Sequence, residues 1–380
     1  MSPMPQRKNL FLCLDAFDTL FTPTKPIPIT YAEAALKHGI AINTPEPATQ
    51  VSSSFKSAFK HLSSKHPNYG RATGMGAEKW WAKVIKETFT PFLAPNQIFP
   101  KYLVPELLHT YSSRKGYTMY PDVLPFFRMI RHMKTHRIRH GAAHGLWPWE
   151  NTIVGIITNS DDRVPGILSS FDLNISPRRY SGVAVNSPNT TISEPSKKKR
   201  RRKEAEKEDD IDFTVLSYDV GAEKPDGRIF AAAEEMLAAT LNDSLSSSSD
   251  TPPPVSSFEK IYVGDDLQKD VFGAQDAGWS SVLLQRDADA QGGQGYGLGM
   301  EDKGQETGEG GEVISQNWLV PQVGSLLDLC AWPRRPERHE ISPVRYVYIK
   351  GPEEVSSEKD KRRLRRQMQS AWRLLGKSKN

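Results

Sequence analysis

Cysteine is nearly absent, with two residues, Cys13 and Cys330, in a chain of 380. Two thiols cannot build a disulfide framework, and their scarcity suits a reducing compartment. No apolar run is long enough to span a bilayer. Residues 1–9 are polar and Pro-containing and lack the apolar heart of a signal peptide. Hydrophobic residues make up only 37% of the chain, low for a single compact globule, so parts of it are expected to lack a core of their own. The expectation is an intracellular protein, cytoplasmic or nuclear, long enough for two compact domains and extensions.

Against this background one stretch stands out: Phe11-Leu12-Cys13-Leu14-Asp15-Ala16-Phe17-Asp18-Thr19-Leu20. Consecutive apolar residues fit a strand buried on both faces. The carboxylate that follows then falls at the carboxyl edge of a sheet, where α/β proteins bind ligands. An unpaired buried carboxylate is costly, so Asp15 calls for a metal, a cation or donors.

From residue 30 to 117 the apolar spacing is helical, with no strand pattern. Val51, Phe55, Ala58 and Leu62 line one face, and Trp80, Trp81, Val84, Ile85 and Phe89 line another. An all-helical block directly after the first strand reads as a cap, and the Trp80-Trp81 pair reads as its core. A further helix is expected from 122 to 136. His136, His140 and His144 follow in or near a Gly-containing loop, without the acids or cysteines that would make a metal site of them.

Three more strand ends carry chemistry. Residues 152–160 are a buried strand ending Thr158-Asn159-Ser160, ahead of a helix from 161 to 171 capped by Ser160 or Asp161. A strand at 213–217 leads to Lys224-Pro225; the proline keeps Lys224 extended, so its ammonium can point into a cleft. A strand at 260–264 ends in Asp265-Asp266, with Asp270 shortly after. Carboxylates this close do not all stay ionised without a cation, which is the behaviour of a magnesium site. Alternating strands and helices imply a parallel sheet with these ends on one edge. Together they supply a nucleophile, an oxyanion grip, a fixed cation and a metal site.

The remaining segments differ in character. Lys197-Lys198-Lys199-Arg200-Arg201-Arg202-Lys203 is a cationic block. It suits a nuclear-import or nucleic-acid patch, or a solubilising insertion. Disordered insertions are expected at about 187–211, 242–257 and 287–316. Residues 323–329 read as a closing helix, and 344–349 suit a strand. The basic helix at 358–375 could meet an acidic partner, RNA, a membrane surface or its own domain.

In the pieces Asp15-Ala16-Phe17-Asp18-Thr19-Leu20, Ile156-Ile157-Thr158-Asn159-Ser160, Glu223-Lys224-Pro225-Asp226-Gly227 and Val263-Gly264-Asp265-Asp266 with Asp270, the chain resembles the haloacid dehalogenase superfamily. The segment 76–89 is similar to the cap of the eukaryotic hydrolase-domain subfamily. The resemblance implies a Rossmann-like α/β core, residues 1–21 and 118–335, with a helical cap at 22–117 and a basic extension at 336–380. It implies a hydrolase, a Mg2+-dependent phosphatase of a small phosphorylated metabolite, with Asp15 as the nucleophile. Thr158, Asn159 and Lys224 would hold the substrate, and Asp15, the Phe17 carbonyl, Asp265, Asp266 and Asp270 would hold the metal. Phe17 stands where family phosphatases carry a general acid, and in this the chain is similar to 2-haloacid dehalogenases. A haloacid hydrolase, or an impaired fold kept for binding an acidic partner or nucleic acid through 197–203 and 358–380, are the alternatives.

Overall fold

The computed structural model describes residues 9–140, 147, 149–182, 209–245, 253–286, 317–331 and 345–350. Its centre is β1 (Asn9–Leu14), buried at every position. Alternate side chains of a strand point to opposite faces, and both faces are covered here. Leu10, Leu12 and Leu14 enter one apolar cluster, while Phe11 and Cys13 enter a second. That explains the unbroken apolar run.

Six strands lie parallel: β1, β4 (Thr152–Thr158), β5 (Phe213–Leu216), β6 (Phe258–Gly264), β7 (Ser280–Leu284) and β8 (Asn317–Val323). Their order is β5-β4-β1-β6-β7-β8, and β9 (Arg345–Lys350) closes the edge antiparallel to β8. With helices α5 (Val123–His140), α6 (Val164–Ser170), the short α7 (Ser217–Val220) and α8 (Gly227–Leu245) between the strands, the fold is a Rossmann-like α/β sheet. Strand order reverses at β1, which has β4 on one side and β6 on the other. The crevice beyond the carboxyl ends of such neighbours is where open α/β sheets bind ligands.

Between β2 (Phe21–Pro23) and β3 (Tyr117–Met119), which pair antiparallel, lie four helices: α1 (Ile27–Lys37), α2 (Pro47–Lys65), α3 (Ala77–Phe89) and α4 (Leu103–Thr110). Trp80 is fully buried and Trp81 nearly so, in the same apolar cluster as β1. The expected core role of the pair therefore matches their burial. Trp81 also reaches beyond the helices: its indole Nε1 donates to Asp161 Oδ2 at 2.6 Å.

Several expected boundaries move. The stretch 317–323 is a strand, and the helical turn after it, Leu326–Ala331, is 3-10; Val320 and Val323 suit a strand, and Pro321 opposes a helix through this stretch. Residues 345–350, expected within a separate extension, pair along the core sheet. Helix α8 continues to Leu245 and a 3-10 turn spans Val255–Ser257, both inside the stretch expected to be disordered from 242 to 257. Helix α5 runs to His140 and α6 starts only at Val164. The basic block 197–203, His144 and the tail 358–380 lie outside the described residues. Among the described residues no helix is long and apolar enough to cross a membrane.

Candidate active site

The register of the central strands brings the chemistry together. Leu14 is level with Ile156 of β4 and Val263 of β6, and the Asp15 amide donates to the Val263 carbonyl at 2.9 Å. Asp15 therefore leaves the sheet level with Gly264, one residue before Asp265. Oxygens of Asp15, Asp265 and Asp270 lie within 4.8 Å of one another. Gly264 makes room for this: a Cβ built there would fall 2.2 Å from Asp270 Oδ2. Any other residue would displace the Asp270 carboxylate from the strand end.

Lys224 is 3% exposed and its ammonium is caged. It donates to Asp270 Oδ1 and to the Tyr262 hydroxyl, both at 2.7 Å. It also stands 3.0 Å from Asp15 Oδ1 as an ion pair, and that buried oxygen has no other partner. Burial works against the ammonium, but the charges of Asp15 and Asp270 outweigh it and raise the Lys224 pKa. Burial pushes the Asp270 carboxyl up to about 6 despite Lys224. Desolvation, followed by the charges of Asp15, Asp270 and Asp18, pushes Asp265 up to about 8, although more than a third of that residue's surface is open. The direction follows from the like charges alone.

Carboxylates crowded on one another, with a single ammonium among them, are what a hard divalent cation would relieve. The residues present fit such an ion.

Not every expected residue joins the cluster. Thr158 ends β4, buried as expected. Asn159 does not offer its amide to a ligand: its Oδ1 accepts from the Lys224 amide at 2.6 Å and its Nδ2 donates to the Lys224 carbonyl at 3.0 Å. It splints the Lys224 loop to the end of β4. Asp266 also turns away. Its Oδ1 accepts from the Gln268 and Lys269 amides at 2.9 Å, capping the turn that carries Asp270. Phe17 packs its ring on Phe21 and Tyr117, with centroids 4.9 and 5.8 Å away. Asp18 sits at a φ of 54°, and its carboxylate accepts from Thr22 Oγ1 at 2.9 Å.

Other site residues gave no sequence signal. Tyr262 reads as strand core, yet its hydroxyl receives Lys224 and donates to the Ile157 carbonyl at 2.7 Å. Thr19 reads as a turn residue, yet its hydroxyl donates to Asp265 Oδ1 at 2.9 Å across 246 positions of chain. The helical block reaches the site's rim through Asn68, whose Nδ2 donates to the Tyr218 carbonyl at 2.9 Å. Arg71 Nη1 donates to the same carbonyl at 2.7 Å and to Asp219 at 2.8 Å.

No family model matches the chain. An uncharacterised hydrolase of Schizosaccharomyces pombe is 26% identical over 275 residues, covering 72% of this chain and 90% of its own length. Haloacid dehalogenase-like hydrolase domain-containing protein 3 of Danio rerio is 24% identical over 272 residues, covering 72% of this chain and 83% of its own length. Among solved structures, an L-2-haloacid dehalogenase aligns with a TM-score of 0.44 at 14% identity, covering 85% of this chain and 97% of that one.

Proposed function

The chain belongs to the haloacid dehalogenase-like hydrolases, and on that footing we propose that it is a magnesium-dependent phosphatase of a small phosphorylated metabolite, working through an aspartyl-phosphate on Asp15. The observation that carries this reading is the gathering of Asp15, Asp265 and Asp270, with carboxylate oxygens within 4.8 Å of one another, beside the single ammonium of Lys224. Hydrolysis of a carbon–halogen bond has no use for such a cluster.

Asp15, Asp265 and Asp270, with the Phe17 main-chain carbonyl, would hold the ion, which when bound supplies positive charge against the phosphoryl oxygens. Asp266 is left out, since its carboxylate caps a turn. In the first step a carboxylate oxygen of Asp15 attacks phosphorus. The new O–P bond forms as the ester P–O bond breaks, and the leaving oxygen takes its proton from solvent. In the second step water attacks phosphorus, its proton passes to solvent, the bond to Asp15 breaks and inorganic phosphate departs. Lys224 and Thr158 hold the phosphoryl oxygens where charge accumulates. Asn159 and Tyr262 act through Lys224, fixing its backbone and its ammonium. The absence of an acid at Phe17 costs about 10²–10⁴-fold in rate, the usual worth of general acid catalysis, so turnover is slow.

Release of phosphate from an aryl phosphate tests the reading. It is expected with magnesium, not with chelator, and not from Asp15→Asn. Halide release from a 2-haloacid without metal would favour the dehalogenase that the aromatic Phe17 suggests. No turnover of either substrate would overturn the enzymatic reading in favour of a binding protein.

A further inference from the structure

Arg286 lies two residues beyond β7, and its side chain is 13% exposed. Its Nε and Nη2 both donate to the Thr19 carbonyl, at 3.2 and 2.6 Å. Its Nη1 donates to Asp122 Oδ1 at 2.7 Å, and the guanidinium lies 3.9 Å over the Tyr120 ring. Asp122 is itself anchored: its Oδ2 accepts from Ser325 Oγ at 2.8 Å and from the Leu326 amide at 2.7 Å. The fork is thus fixed by an ion pair on one side and a ring beneath, and two of its N–H groups converge on one carbonyl. Only a planar guanidinium makes all three contacts at once.

That carbonyl belongs to Thr19, which is fully buried and whose hydroxyl donates to Asp265 Oδ1 at 2.9 Å. Asp265 is surrounded by the like charges of Asp15, Asp270 and Asp18, so a single misplaced donor changes how its remaining lone pairs face the cluster. We propose that Arg286 is a positioning residue for divalent-cation binding. By fixing the Thr19 carbonyl it holds the Thr19 hydroxyl on Asp265 and sets the affinity of the acid cluster for magnesium. The proposal rests on the reading of that cluster as a magnesium site. The same arginine holds Asp122, close behind the return strand β3, so it joins the end of the helical block to the cluster.

The test is calorimetric titration of Mg2+ alone into the full chain, at a temperature where each variant is folded by circular dichroism. Arg286→Met is expected to raise the Kd by about 10- to 100-fold, the usual cost of losing a partner behind a metal ligand. Arg286→Lys should recover little of it. Thr19→Val should weaken binding to a similar extent, and the double variant should bind no more weakly than the worse single, since both act through one contact. Arg131→Met, which breaks a part-buried ion pair with Asp210 away from these residues, should leave the Kd unchanged. A wild-type Kd in Arg286→Met, or an equal loss in Arg131→Met, overturns the proposal and leaves the magnesium site standing. If Arg286→Met does not fold, a wild-type Kd in Thr19→Val overturns it equally. A wild type that takes up no magnesium overturns the reading beneath it.

Discussion

Two acidic sites lie at neighbouring strand ends, and they are built on opposite terms. Past β4, Asp161 is fully buried and fully answered. Its Oδ1 accepts from Arg163 Nε at 2.8 Å and its Oδ2 from Arg163 Nη2 at 2.8 Å. The Trp81 indole adds a donor from the helical block, and the Arg163 guanidinium lies 4.4 Å over that indole. Burial would push the Asp161 carboxyl up, but the Arg163 charge and these hydrogen bonds outweigh it and hold it below the usual range. At the ends of β1 and β6 the balance is reversed. Three carboxylates crowd together with the one Lys224 ammonium, which pairs with Asp15 and Asp270, and Asp265 and Asp270 are pushed up. The first cluster fastens the helical block to the sheet. The second is complete only with something added, which is why we read it as the site.

Neutralising one acid in each cluster should therefore act in opposite directions. Asp161→Asn leaves Arg163 buried without its counter-charge and should cost about 3–5 kcal/mol, measured as a fall in the denaturant midpoint at constant slope. A change too small to resolve would place the fastening elsewhere.

Phe17→Asp should raise phosphatase turnover by about 10²-fold by supplying a proton donor at the leaving oxygen. The ring contacts with Phe21 and Tyr117 are lost, so rates must be compared at equal folded fraction. A folded variant no faster than wild type would mean that the leaving group needs no acid here.

Asp265→Asn should raise the melting temperature of the metal-free protein near neutral pH, because it removes a carboxyl whose ionisation burial and three neighbouring acids oppose in the folded state. It should also abolish the rise that magnesium gives the wild type. A lower metal-free melting temperature would mean that the cluster is already satisfied, as Asp161 is.

The smallest effect is in acid. The lowered pKa of Asp161 means that the folded state binds fewer protons there than the unfolded chain does. Its stabilisation is then fully present above the unfolded value near 3.8 and is lost as pH falls through the lower folded value. The stability gap between wild type and Asp161→Asn should thus hold from neutral pH to about 4 and narrow below it. A gap that narrows already between pH 7 and 5 would contradict the assignment.

Much of the fold was legible because it is locally encoded. Apolar runs on β1, β4 and β6 announced strands buried on both faces. The spacing of Val51, Phe55, Ala58 and Leu62 announced α2, where all four are buried. Asp15, Lys224 and Asp265 were legible because each sits where a strand or a proline fixes its direction. What stayed hidden depends on partners remote in sequence. An Asn beside a Thr looks like a ligand until Lys224, 65 residues on, takes both ends of its amide. Adjacent aspartates look alike, yet Asp265 faces the cluster and Asp266 caps its own turn. Thr19, Tyr262 and Arg286 carry no periodicity that marks them, since their meaning lies in contacts across the sheet. Strand β8 went unread, and the closing helix expected at 323–329 is a 3-10 turn at Leu326–Ala331, because a short apolar run has no period of its own.

The central claim is that Asp15 becomes covalently phosphorylated. The direct measurement is rapid acid quenching of the protein during turnover of an aryl phosphate with magnesium, followed by mass analysis of the peptide that contains Asp15. The account predicts a phosphoryl adduct on that peptide, absent without magnesium and absent from Asp15→Asn. Phosphate release at an undiminished rate in Asp15→Asn, or turnover with the adduct on another residue, would contradict it.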